Sequence, residues 1–210
     1  MTVPTPHHGA AALRRRTVGV VLFDEVEVLD FAGPFEVFSV CGRRSQLDPF
    51  DVFTLSERGQ TIRARNGLIV TPLHSFASAP LPDILLVPGG FGTRREMKNP
   101  VMLEYVARVG PRCEFLLSVC TGALILGCAG QLDGLAATTH HLAFPELRAV
   151  APKSEIREGA RIVDNGRVIL SSGVSAGIDM SLHVVSRLLG DDLARETARY
   201  MEYEGDWRRV

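Results

Sequence analysis

Short, almost wholly apolar runs recur along this chain, each separated from the next by a stretch of helical character. "VGVVLF" (residues 18–23), "ILLV" (84–87) and "EFLLSV" (114–119) are too short for helices. They lack the alternation of a strand with one wet face. Strands of this kind are buried on both sides, as in a parallel sheet whose crossover helices cover both faces. Further strands are expected at 50–55 and after the turn in "RNGLIV" (65–70). "ARIVDNGRVILSSG" (160–173) reads as a hairpin with Asn165-Gly166 at its turn.

Helices are expected between these runs. The stretch 26–42 reads as helix, with Gly33-Pro34 interrupting its start and Pro34 suited to a first helical position. Residues 100–109 and 144–150 read as helices, and the small-residue stretch 121–130 as another that glycine ends. Ile178, Leu182, Val185 and Leu189 form one apolar face of a helix starting after Ser175. A short amphipathic helix over 193–204 closes the chain. The expected fold is a three-layer α/β sandwich, a mostly parallel sheet with helices on both faces. Residues 1–16 read as a disordered tail and 17–210 as one domain.

Composition excludes several roles. Twenty-four acids against 23 bases leave a net charge of −1, so no strong field invites nucleic acid or acidic lipid. No segment approaches the roughly 20 apolar residues of a membrane span. The first apolar run is broken by Asp24 and Glu25, too soon for a secretory signal. Four cysteines (41, 113, 120 and 128) show neither a CxxC pair nor metal-ligand spacing. A reducing cytoplasm is the expected compartment, without metal or organic cofactor.

Cys41, Cys113 and Cys128 read as core residues. Cys120 differs, because strand end, small neighbours (Thr121, Gly122, Ala123) and helix start coincide there. That is the pattern of a nucleophile elbow, and a helix N-terminus should ease loss of the thiol proton. Ligands in open α/β sheets bind at the carboxyl ends of strands. Two other unusual features fall at such ends. Pro88-Gly89-Gly90 either merely ends its strand or offers backbone N–H groups as an oxyanion site. Asp30, among apolar neighbours in "VLDFAG", is either an N-cap for the helix entering at Pro34 or a buried acid beside the thiol. His140 ends "AATTH" and becomes a candidate base if a thiol is near. His74 and His183 read as structural, Glu36 and Asp179 as helix-terminal or solvated.

Taken in order, "VGVVLFDEVEVLDFAGPFEVF", "LLVPGGFGT", "LLSVCTGALILGCAGQLDGLAATTHH" and "DNGRVILSSGVSAGIDMSLHVV" resemble the ThiJ/PfpI superfamily, the class I glutamine amidotransferase-like group. The resemblance covers residues 17–190 and implies a flavodoxin-like fold, a Cys120 nucleophile and an acidic partner at Asp30. Protease-like members carry Cys-His at the elbow; Cys120-Thr121 departs from that pattern. "LDFAGPFEVF", "SVCTGALILG" and "ATTH" are similar instead to isonitrile hydratases and to the amidase-like domain of AraC-type regulators. His141 stands where those relatives have Trp.

The resemblance implies a hydratase that turns an isonitrile and water into an N-substituted formamide. In it Cys120 attacks, Asp30 transfers the proton and Thr121 orients Asp30 or water. Gly89, Gly90 and His140 would form the oxyanion and substrate site. A ligand- or redox-sensing domain and a glyoxalase- or deglycase-like enzyme are the alternatives. The expected partners are a small-molecule substrate and a second copy of the chain in a homodimer. With the chain stopping at Val210 and no basic patch in view, no DNA-reading domain is expected.

Overall fold

The computed structural model describes residues 14–205, 207 and 208. In chain order the elements are β1 (Arg16–Val21), α1 (Val28–Val40), β2 (Phe50–Ser56), β3 (Ile62–Arg63), β4 (Ile69–Val70) and β5 (His74–Ser75). Next come β6 (Ile84–Val87), α2 (Thr93–Glu96), α3 (Pro100–Val109), β7 (Phe115–Val119) and α4 (Gly122–Cys128). Then follow β8 (Ala136–Ala137), α5 (Phe144–Val150), β9 (Glu155–Ile156), β10 (Ile162–Asp164) and β11 (Val168–Ser171). Helices α6 (Ala176–Leu189) and α7 (Asp191–Tyr200) complete the chain.

Seven strands form one sheet in the order β10-β11-β7-β6-β1-β2-β5. All pairs are parallel except β10–β11, the hairpin turned at Asn165-Gly166. β6 and β7 are buried at every residue, as unalternating apolar runs require when helices cover both faces. Helices α1, α6 and α7 pack together on one face, and α2, α3, α4 and α5 on the other. This is the flavodoxin-like α/β fold. Small pairs β3–β4 and β8–β9 lie outside the main sheet.

Phe38 of α1 meets Phe50 of β2 edge-on, ring centroids 5.0 Å apart. Burying such a ring contributes about 1.5–3 kcal/mol. Gly33 lets α1 approach α6, since a Cβ there would stand 2.9 Å from Ile178 Cγ1.

Two boundaries differ from expectation. α1 begins at Val28, so Pro34 lies inside the helix rather than at its first position. A proline there withholds the N–H that would bond the carbonyl of residue 30. The helix tolerates the loss because Pro34 is buried against α6, its ring near Gly177. Arg16, expected in the tail, instead opens β1, where its Nε donates to Glu114 at 2.8 Å, and Arg14 pairs with Asp83; residues 1–13 lie outside the described residues. Among the described residues, no helix is long and apolar enough to cross a membrane.

Candidate active site

β7, β6 and β1 are adjacent in the sheet, so the turns leaving their carboxyl ends meet. Cys120 follows β7, Gly89 and Gly90 follow β6, and Asp30 stands in the first turn of the helix after β1. The topology brings these four residues together from three separate stretches of sequence.

Cys120 sits at φ 56°, the left-handed region that a non-glycine residue enters only under constraint. Its N–H donates to Ser171 O and Ser172 O (3.2 and 3.1 Å), and its carbonyl accepts from Thr139 Oγ1 at 2.8 Å. These bonds from β11 and the loop after β8 hold the strained turn. Gly122 then has to be glycine: a Cβ there would stand 2.1 Å from Val87 O. The side chain of Cys120 is buried, and its sulfur accepts backbone N–H groups from Thr121 and Val174. Val174, at φ 50°, is a second left-handed residue and β-branched as well.

Asp30 is fully buried, and its Oδ2 accepts the Gly89 N–H at 3.0 Å. The N-cap reading fails, because α1 is capped at Glu27 and Asp30 points to the sheet edge instead. Gly89 is enclosed by the site itself: a Cβ would meet Thr121 N at 2.6 Å, Asp30 Oδ2 at 2.7 Å and Cys120 Cβ at 2.8 Å. Burial, against the opposing Gly89 bond and the Cys120 contact, raises the Asp30 carboxyl from 3.8 to about 7. Burial, with the Asp30 charge adding to it, pushes the Cys120 thiol up to about 12. The expected easing of thiol ionisation is therefore reversed. Desolvation outweighs the two backbone N–H groups and a helix of only seven residues. The Cys120 thiol and the Asp30 carboxyl interact directly, and Asp30 Oδ1 is a buried acceptor without a partner among the described residues.

This elbow continues through a matching sequence pattern. The pattern of the DJ-1/PfpI family covers residues 16–187. The chain belongs to the DJ-1/PfpI family. The isonitrile hydratase of Pseudomonas putida is 32% identical over 189 residues, 89% of this chain and 78% of that protein. The HTH-type transcriptional regulator GbdR of Pseudomonas aeruginosa is 29% identical over 191 residues. This chain spans about half the regulator's length, 51%. Among solved structures, a ThiJ/PfpI family protein from Pseudomonas syringae superposes with a TM-score of 0.83 at 26% identity, covering 96% of this chain and 84% of that one. An enzyme and DNA-binding regulators thus stand among the relatives of this DJ-1/PfpI chain.

Other site residues take places that differ from their expected roles. Thr121 Oγ1 has Gly90 and Thr93 as its partners. It accepts the Gly90 N–H at 3.0 Å and meets Thr93 Oγ1 at 3.1 Å, while Thr93 Oγ1 donates to Gly90 O at 2.8 Å. Thr121 and Thr93 together clamp the Gly90 turn to the elbow. The Gly89 and Gly90 N–H groups are both engaged, by Asp30 and Thr121. The N–H groups that do face the sulfur belong to Thr121 and Val174.

His140 lies beside Gly173, whose added Cβ would stand 2.4 Å from His140 Cδ2. Its Nδ1 accepts the Leu142 N–H at 3.3 Å. Burial lowers its pKa, with His141 and Arg94 adding to the effect and Glu27 opposing it. A neutral imidazole with Nδ1 accepting carries its proton on Nε2, a donor rather than a base at rest. A cleft of 970 Å³ opens from Thr139 and Val174, both in contact with Cys120, past His140 and His141 toward Phe144 and Arg161. Val174 and Thr139 escaped the sequence reading because a left-handed valine and a side chain bonded to a distant carbonyl leave no local pattern.

Asp179 is helix-terminal, one of its two expected places, but it is not solvated. It lies in the first turn of α6, is buried against Arg161 and accepts the Tyr203 hydroxyl at 3.0 Å. Glu36 is exposed, as expected. His183 stays structural, its Nε2 2.7 Å from Asp164 Oδ2, and His74 packs edge-on against Phe53. Among the described residues, no group of three or more His, Cys, Asp or Glu could hold a metal ion.

Proposed function

We propose that the protein is a cysteine-dependent hydratase that converts an isonitrile and water into an N-substituted formamide. The observation that supports it is the pairing of a buried thiol with a carboxyl whose pKa lies near 7. A thiol pushed up to about 12 is not a free thiolate at neutral pH, so its proton has to leave as the carbon–sulfur bond forms. Asp30, ionised in part of the molecules near pH 7, takes that proton. It passes the proton to the terminal isonitrile carbon as Cys120 sulfur bonds to the same carbon. The product of this step is a thioimidate, R–N=CH–S–Cys120. Water then adds to the C=N carbon, one proton going to Asp30 and one ending on nitrogen. Collapse of the adduct breaks the C–S bond, returns the proton to sulfur and releases R–NH–CHO.

In this scheme the Thr121 and Val174 N–H groups carry the negative charge that builds on sulfur. Gly89 positions Asp30, Thr121 holds the Gly90 turn in register, and the His140 Nε2–H faces the entering substrate. No step needs a metal or an organic cofactor. Turnover of cyclohexyl isocyanide, followed by formamide production, tests the reading. Cys120→Ala is expected to lower kcat/KM at least about a thousandfold; turnover that survives it would sink the mechanism.

The regulator relatives favour a second reading, a domain that binds its ligand without turnover. Ligand binding unchanged in Cys120→Ala, with no wild-type turnover, would support that one. The family likeness also carries pairing into a homodimer, read in sedimentation as twice the 22.9 kDa chain mass.

A further inference from the structure

The side-chain carboxylate and amide on the walls of the cleft beside Cys120, Asp164 and Asn165, are both engaged. Asp164 is occupied: Oδ1 accepts the Gly166 N–H (2.7 Å), and both oxygens accept from Arg187 at 2.9 Å. Its Oδ2 also lies 2.7 Å from His183 Nε2. Asn165 is occupied too, bonding Ala136 through both its Oδ1 (3.0 Å) and its Nδ2 (2.9 Å). What the cleft presents besides the histidines is two guanidinium groups, Arg157 and Arg161, with side chains 55% and 38% exposed.

Arg161 is held by a buried partner. Its Nε and Nη2 reach Asp179 Oδ2, and Nη2 also donates to Ser175 Oγ at 3.3 Å. Asp179 is 1% exposed, and its other oxygen accepts the Tyr203 hydroxyl. A buried carboxylate carries a desolvation cost, which is an inefficient way to add stability. Its effect here is to fix a guanidinium on a cavity wall, with the Nε–Nη2 edge spent on Asp179 and Ser175 and Nη1 left to meet one ligand oxygen. The backbone ties the same residue to the nucleophile: Arg161 O accepts Ser172 N (2.9 Å), and Ser172 O accepts Cys120 N (3.1 Å).

Arg157 pairs with Glu155 in an exposed contact of little strength, which an incoming carboxylate can displace. Asp179 balances Arg161 in a buried pair and Glu155 balances Arg157 in an exposed one, so Arg161 contributes a fixed donor and Arg157 a positive group that can turn to a ligand.

Resting on the hydratase reading, we propose that the substrate carries a carboxylate, received by Arg161 with Arg157 beside it. The substrate class is an isonitrile of the isocyano-acid type, and the product an N-formyl amino acid. The test is calorimetric titration of N-formylleucine and its uncharged amide, N-formylleucinamide, into the Cys120→Ala protein, where turnover cannot interfere. The acid is expected to bind at least about tenfold more tightly than the amide, a preference that shrinks as salt rises. Arg161→Gln should remove most of that preference, Arg157→Gln a smaller share, and Arg161→Lys should restore only part. Should Arg161→Gln melt early, with Asp179 left unpaired, the double variant Arg161→Gln/Asp179→Asn carries the same comparison. Equal binding of acid and amide, binding of neither, or a preference that survives loss of Arg161 overturns the proposal. Failure of the wild-type protein to hydrate any isonitrile, with the acid preference intact, sinks the hydratase reading and leaves the carboxylate site standing.

Discussion

At the scale of single residues, the site rests on two ionisable groups whose burial shifts them apart. Asp30, raised to about 7, should make kcat/KM climb with pH through the region of 7, because in the proposed mechanism the ionised carboxylate accepts the thiol proton. With the thiol pushed up to about 12, no second rise is expected below strongly alkaline pH. Asp30→Asn should flatten this profile and lower the plateau about a hundredfold or more. A profile that keeps its inflection in the variant would assign the inflection to another group. The same shift has a stability consequence with a definite sign. A carboxyl raised in the folded state favours folding in its protonated form, so its contribution is complete below 3.8 and lost as pH rises through about 7. Thermal melting of Asp30→Asn should therefore gain on the wild type between pH 4 and pH 8, by a few kcal/mol at most.

At the scale of elements, the elbow depends on how closely β6 and α4 approach. Gly122 opens α4 directly against Val87 O, the last carbonyl of β6. Adding one methyl at 2.1 Å from a backbone oxygen leaves no rotamer as an escape. Gly122→Ala is expected to cost several kcal/mol, seen as a lowered urea midpoint, and activity should fall with it. Unchanged melting would mean that α4 can slide along the sheet. Helix α2 matters in a different way. It is short, but Thr93 at its first position joins the clamp on Gly90, so this element holds the turn rather than adding core.

Across the whole molecule, stability and chemistry occupy opposite ends of the sheet. The amino ends of β1, β6 and β7 are fastened together by Asp83 and Glu114. Asp83 Oδ2 accepts both the N–H and the hydroxyl of Thr17, at 2.9 and 3.1 Å, and Glu114 takes a two-pronged bond from Arg16. The carboxyl ends of the same three strands carry Asp30, Gly89 and Cys120. Asp83→Ala should thus lower stability by about 1–3 kcal/mol in denaturant titrations while leaving kcat/KM of the folded protein unchanged. A fall in kcat/KM matching that of the site variants would show that the two ends are coupled.

The sequence by itself determined the architecture and the position of Cys120 at the elbow. Uniformly apolar short runs can only be doubly covered strands, and a cysteine between such a run and small helical residues can only sit at a sheet edge. Residue-level chemistry was less legible. Asp30 could be named a candidate but not separated from a cap, because its role depends on Gly89, fifty-nine positions away along the chain. Thr121 was visible as the residue after Cys120, yet only the fold turned its hydroxyl onto Gly90. The helix N-terminus argued for an acidic thiol at Cys120, and tertiary burial reversed it, since desolvation is a property of everything packed around the sulfur. Asp179 read as helix-terminal or solvated and is helix-terminal; its burial was not legible because Arg161 and Tyr203 cover it from distant segments. Local pattern decides which elements form and which faces they bury. The charge state of a buried group belongs to the assembled interior, and so was decided by the tertiary structure alone.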